Sequence, residues 1–223
     1  MSTETPARTR PAVDYPDSDV QPMSDNTVQF RWIQTLQGGL DALFRDDPRV
    51  FVAGDLLWYP LEGKNTVPVA PDVMVVFGRP KGDRGSYRQW EEGGIAPQVV
   101  FEIVSPGNRV GELVSKQRFY ERYGVEEFYI CDPDFAKLTG WIRQGDTFED
   151  IAEPDGWTSP RLGVRFDLSS GELRVLRPDG RPLSTYVGLA EESERDRQRA
   201  EQERKRAERL AAQLRALGVE PEG

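Results

Sequence analysis

The sequence predicts an α/β fold in which a leading helix is followed by three strands, a second helix and a further strand, with antiparallel β-hairpins and a C-terminal helix added behind. Three observations predict it. Apolar residues recur at helical spacing from Thr27, the runs APDVMVVF and QVVFEIV have the length and continuity of strands covered on both faces, and the composition turns charged and Ala-rich near Leu189. With 223 residues, 37 % of them hydrophobic, the chain can build one core with appendages.

Residues 1–26 carry Pro6, Pro11, Pro16 and Pro22 among scattered Asp and are expected to form a disordered arm, because so few large apolar groups cannot offset the entropy of ordering. From Thr27, Phe30, Ile33, Leu36, Leu40, Leu43 and Phe44 fall on one helical stripe and are expected to face the core. Strands are expected over 49–59, 70–77 and 98–104. Asn108 can cap a helix over 109–123 that ends at Gly124, and EEFYICDPD supplies the next strand. Hairpins are expected around Gln144-Gly145-Asp146 and Ser170-Gly171. The expected organisation is therefore an arm at 1–26, a main domain at 27–188, a helix at 189–217 and a short tail at 218–223. In that helix Ala200, Ala207 and Leu214 are seven apart, joined by Leu210 and Leu217, which predicts a weak coiled-coil seam and a homo-oligomer such as a dimer.

Composition removes several kinds of chemistry. The chain has no histidine, which excludes Ser-His-Asp and Cys-His pairs, histidine-bound zinc and any imidazole general base. The single cysteine, Cys131, excludes an internal disulfide framework and a thiolate zinc cluster and reads as a small buried hydrophobe. A formal charge of −9 excludes a broadly basic nucleic-acid coat. No run approaches the ~18 apolar residues of a membrane span, and MSTETPARTRP lacks a signal peptide's apolar stretch, so a cytoplasmic protein without membrane contact is expected.

What chemistry remains must use carboxylates, lysine, tyrosine or a hard metal ion. Asp72 and Glu102 interrupt otherwise apolar strands, where an uncompensated charge is costly. On adjacent strands and one face they would offer paired oxygen ligands for Mg²⁺ or Mn²⁺. Lys116 interrupts the stripe Leu113, Lys116, Tyr120, Tyr123 of the second helix and would aim at that pair. Such an arrangement suits phosphodiester hydrolysis without histidine. The same residues also read as a strand cap and a buried ion pair. Asp55, Ser105 and Tyr120 are secondary candidates, with a bulge, a chain turn and packing as their alternatives. The long loop over 78–97 joins the two acidic strands and interleaves Arg79, Lys81, Arg84 and Arg88 with Tyr87 and Trp90, a pattern able to meet a phosphate backbone and stack a base, or simply to be solvated.

The segments APDVMVVF, VVFEIVSPGN, ELVSKQRFYERYGVEEFYICDPD and ERLAAQLRALGVEPE resemble the Uma-two type endonucleases, a bacterial branch of the PD-(D/E)XK restriction-endonuclease-like superfamily. The resemblance spans residues 27–217. It implies an α-β-β-β-α-β core with a mixed sheet, a metal-dependent endonuclease acting on DNA, and Asp72 and Glu102 at the superfamily's two acidic positions, holding the Mg²⁺ or Mn²⁺. The superfamily's usual lysine position, two residues after the second acid, is Val104 here; the resemblance implies a lysine moved to the following helix, as Lys116. Glu112 stands where the family commonly has Asp, and the histidine that relatives often carry near the start of the first helix is absent. A catalytically silent, nuclease-like scaffold that recruits a protein partner through its helical tail is the alternative.

Overall fold

The computed structural model describes residues 13, 15–17, 24, 26–64, 68–105 and 110–216. The chain divides into two units, residues 1–183 and 184–223.

In the first unit the chain runs α1 (Thr27–Leu43), β1 (Val50–Gly54), β2 (Trp58–Tyr59), β3 (Val73–Phe77), β4 (Tyr87–Arg88), β5 (Val99–Ile103), α2 (Val110–Tyr123), β6 (Glu127–Asp132), β7 (Lys137–Gln144), β8 (Thr147–Asp150), β9 (Arg165–Asp167) and β10 (Arg174–Leu176). A six-stranded sheet has the order β1-β3-β5-β6-β7-β8. Its pairs are antiparallel except β5 with β6, the pair bridged by α2, since parallel neighbours need a crossover. This is the mixed sheet and helix order expected, with hairpins at Gly145 (φ 59°) and Gly171 (φ 79°), where glycine tolerates the left-handed turn.

The apolar runs are continuous because both faces of the sheet are covered. In β3, Val73 and Val75 join a cluster with Ile33, Leu36 and Leu40 of α1, whereas Met74 and Val76 join one with Phe119 and Tyr120 of α2. Asn26 caps α1, its side chain accepting from the Val28 and Gln29 amides at 2.9 Å. Gly38-Gly39, a weak point by helix propensity, is buried, and Leu183 packs so closely on Gly39 that a Cβ there would press on it.

Two expectations need correction. Phe30 is 39 % exposed, so the core stripe of α1 passes instead through Gln29, Ile33, Leu36 and Leu40. The strand expected over 49–59 breaks at Asp55, whose φ of 49° ends β1, and Trp58–Tyr59 leave the main sheet to pair in parallel with β4. The expected arm is described only at residues 13, 15–17, 24 and 26, and there Tyr15–Asp17 lie against β2 and β4. The Asn108 cap, Leu217 and the tail at 218–223 lie outside the described residues.

The second unit contains α3 (Tyr186–Ala216), exposed along its described length and laced by pairs such as Arg195 with Glu191 at 3.0 Å and Lys205 with Glu201 at 3.3 Å. Each pair stabilises by only ~0.2–0.5 kcal/mol. Leu210 is half exposed. No helix among the described residues is long and apolar enough to cross a membrane.

Candidate active site

The register between β3 and β5 places Val73 opposite Phe101, so one residue further along Asp72 faces Glu102. Both project to the α2 side, with Met74 and Val100 beneath them. Asp72 precedes β3 rather than lying within it, and hydrogen bonds to the backbone help hold it. Its Oδ2 accepts the Ile103 amide proton at 2.6 Å, and its backbone carbonyl takes the Asp55 N–H at 3.3 Å. The left-handed turn at Asp55 therefore supports the position of Asp72; among the described residues no group of three or more Asp, Glu, Cys or His side chains gathers into a ready-made metal cage.

From α2, one turn apart, Lys116 and Tyr120 reach the same carboxylate. Lys116 Nζ lies 2.7 Å from Glu102 Oε2, and the Tyr120 hydroxyl donates to Glu102 Oε1 at 2.5 Å. The Glu102 side chain is 3 % exposed and Lys116 19 %, so this charge pair stands at the edge of the core. Tyr120 is fully buried, stacked parallel to Trp58 with centroids 6.3 Å apart. Asp72, Glu102 and Lys116 thus converge; Ser105 is buried just beyond β5.

Electrostatically the cluster has one acid more than it can neutralise. Burial, reinforced by the neighbouring Glu102 charge, pushes the Asp72 carboxyl up to about 7. Burial also raises Glu102, against the lowering effect of Lys116 and Tyr120. For Lys116 burial works against the charged form, but the attraction of Glu102 outweighs it and the ammonium is held above its ordinary range. Burial and the adjacent Glu102 keep Tyr120 protonated. The donor set is hard oxygen, and a divalent cation would relieve the excess negative charge; with two protein carboxylates it would complete its shell from water and substrate phosphate, as Mg²⁺ commonly does.

The family described as "Putative restriction endonuclease", Uma2, matches residues 4–169. The chain belongs to the Uma2 family. Among solved structures it is similar to a crystal structure from Anabaena variabilis ATCC 29413, described as a putative nuclease belonging to DUF820; the two are 17 % identical over 64 % of this chain and 76 % of that one, with a TM-score of 0.47. No curated protein matches.

Two further groups join this cluster, and the sequence signals them only weakly. Gln29 is buried at 6 %, and its Nε2 donates to the Ile103 carbonyl at 3.1 Å while its side chain also reaches Asp72. The signal was available, because Gln29 is the polar residue on the stripe it shares with Ile33, Leu36 and Leu40. Tyr120 is a secondary candidate with packing as its alternative, since spacing gives its face and not its hydroxyl's partner. The loop over 78–97 also changes character. Arg79 and Arg84 both bind Glu92 at 2.7 and 2.6 Å, Lys81 binds Asp41 at 2.8 Å, and Tyr87 is fully buried. Most of its cations are already paired within the fold.

Proposed function

We propose that this Uma2 protein is a metal-dependent endonuclease that hydrolyses DNA phosphodiester bonds, with Asp72 and Glu102 as metal ligands and Lys116 as the third catalytic group. Membership in the family supports a nuclease acting on nucleic acid. The observation that carries the finer reading is the convergence of Lys116 on Glu102 with Asp72 across the strand from it, an arrangement with an unbalanced negative charge. When bound, Mg²⁺ or Mn²⁺ supplies the positive charge that acidifies an attacking water and screens the phosphate. Asp72 would hold the cation as the carboxylate, its proton released to water, and is raised to about 7 in the cation's absence. Glu102, fixed at one oxygen by Tyr120, keeps Lys116 aimed at the reacting phosphate. Lys116 places a positive charge beside the oxygens that gain charge as the phosphodiester is attacked.

The test compares wild type, Asp72→Asn, Glu102→Gln and Lys116→Met on supercoiled and single-stranded DNA in Mg²⁺ or Mn²⁺, with metal binding followed by thermal shift. The carboxylate variants lose both metal stabilisation and cleavage, whereas Lys116→Met keeps the metal response and loses about 10²-fold or more in turnover. A folded, metal-stabilised wild type that cuts neither substrate leaves the scaffold reading, which the extensive internal pairing of the loop cations favours.

A further inference from the structure

Around β4 lies a second cluster of polar and aromatic groups, separate from the acidic site. Tyr15 packs edge-on to Tyr59 with centroids 5.3 Å apart and tilts against Trp90 at 5.0 Å. Its hydroxyl accepts the Gly63 amide proton. Next along the chain, the Pro16 carbonyl accepts from the Tyr59 hydroxyl at 2.7 Å, and Asp17 Oδ1 accepts from Ser86 Oγ at 3.0 Å. The Asp17 carboxylate sits directly over Gly85, where a Cβ would collide with it. Residues 15–17 are thus a strap presenting one aromatic ring and one anion to a fitted surface.

The cationic partner in this cluster, Arg88, lies over the Tyr15 ring at 5.4 Å and meets its polar neighbours only at long range. Arg88 Nη2 is 3.9 Å from Asp17 Oδ1, beyond hydrogen-bond distance, and only 3.4 Å from the Tyr15 carbonyl, while Nη1 lies 3.5 Å from Glu91. Its Nε is buried and has no hydrogen-bond partner among the described residues. An unsatisfied, buried guanidinium nitrogen beside a carboxylate that touches the same group only loosely marks a place for a better anion. A phosphate offers the geometry that a guanidinium fork takes two-pronged. Asp17 stands two residues from Tyr15, at most about 7 Å along extended chain, on the order of the separation between a base and its phosphate.

Resting on the nuclease reading, we propose that Gly85, Ser86 and Arg88 form a phosphate cradle and Tyr59 and Trp90 a base-stacking platform for single-stranded DNA, and that Tyr15 and Asp17 occupy both as an internal competitor. The strap lowers apparent affinity by the fraction of molecules in which it is seated, and substrate must displace it.

The experiment measures anisotropy of a labelled ten-residue oligothymidine with the full-length chain in EDTA, so that cleavage does not enter. The double variant Tyr15→Ala/Asp17→Ala binds about tenfold tighter than wild type. In that open background Trp90→Ala loses about tenfold and Trp90→Phe, which keeps a ring, loses little. Arg88→Ala in the same background weakens binding and lowers the salt slope by about one counterion. Gly85→Ala unseats Asp17 without gaining affinity, because the added Cβ fills the cradle as well. A cooperative melt for each variant establishes folding. The proposal is overturned if opening the strap leaves affinity unchanged or weaker, if the gain survives Trp90→Ala and Arg88→Ala, or if a blunt duplex with no free bases binds equally well. Tightening without any cleavage in Mn²⁺ would remove the nuclease reading and leave the cradle standing; cleavage without tightening would remove the strap alone.

Discussion

Glu102 and Glu127 lie on the neighbouring parallel strands β5 and β6, each only 2 % exposed and each with a carboxyl raised by burial. Their surroundings differ in kind. Glu127 is enclosed by neutral donors: the Tyr129 hydroxyl at 2.8 Å, the Arg161 amide at 2.7 Å and the Ser159 hydroxyl. Ser159 in turn accepts the Leu162 amide, so this carboxylate pins the segment leading to β9 onto the main sheet. Glu102 instead binds an ammonium and a phenol and has a second acid across the strand. A buried acid therefore does not by itself mark a reactive site. What distinguishes the β5 cluster is that its second acid, Asp72, is buried opposite Glu102, whereas Glu126 beside Glu127 is partly exposed and paired with Arg161; a buried pair of acids is what a cation and a phosphate can exploit.

The sharpest way to break the comparison is to remove each acid in turn. Glu127→Ala should cost about 3 kcal/mol, since several buried donors lose their acceptor, while the folded fraction keeps whatever activity wild type has. Glu102→Gln should also lower stability, because Lys116 loses its ion partner, but should in addition abolish activity in the molecules that remain folded. Denaturant melts paired with cleavage assays check this, and a Glu127 variant that is stable but inactive would erase the distinction.

A smaller effect should appear in pH dependence. Because Asp72 titrates near 7 in the fold and near its ordinary 3.8 when unfolded, the native state binds the extra proton between those values. Its contribution must therefore make the fold less stable as pH rises from about 4 to about 7 and stay level above. Asp72→Asn should remove this slope and stabilise the protein at pH 8 by on the order of 2 kcal/mol, whereas Glu127→Gln should leave that slope in place. Thermal melts from pH 4 to 8 read it directly; an unchanged slope in Asp72→Asn would mean the acid is not strained by its surroundings. Mn²⁺ should reverse the trend, stabilising more at pH 8 than at pH 5 because the metal competes with the proton.

The smallest effect on the body should come from deleting residues 184–223, the separate helical unit. Its charged pairs are exposed and local, so the melt of the remaining unit should stay cooperative and shift by less than about 0.5 kcal/mol. Light scattering of the two chains side by side tests the expected seam through Ala200, Ala207 and Leu210: a lower oligomeric state in the truncation supports it and an unchanged one removes it. A truncation that unfolds would show α3 to be part of the core.

The element order was legible in the sequence because it rests on local signals: the apolar period of α1, the doubly buried runs of β3 and β5, the stop at Gly124 (φ 94°) and the glycine turns of the hairpins. Asp72, Glu102 and Lys116 were legible for the complementary reason, as polar residues where the pattern calls for apolar ones. Tertiary structure alone decided which partners they meet. Strand register over some thirty residues of sequence set Asp72 against Glu102, and it brought Gln29 from α1 to the Ile103 carbonyl. The seating of α2 on the sheet turned Tyr120 from packing residue into hydrogen-bond donor. Arg79, Arg84 and Lys81 found acids within the fold, and Arg88 Nε is buried with no hydrogen-bond partner among the described residues. The physical reason is common to all of these: periodicity and turn chemistry act between residues a few positions apart, whereas charge neutralisation and hydrogen-bond satisfaction depend on distances that exist only once distant segments are packed together.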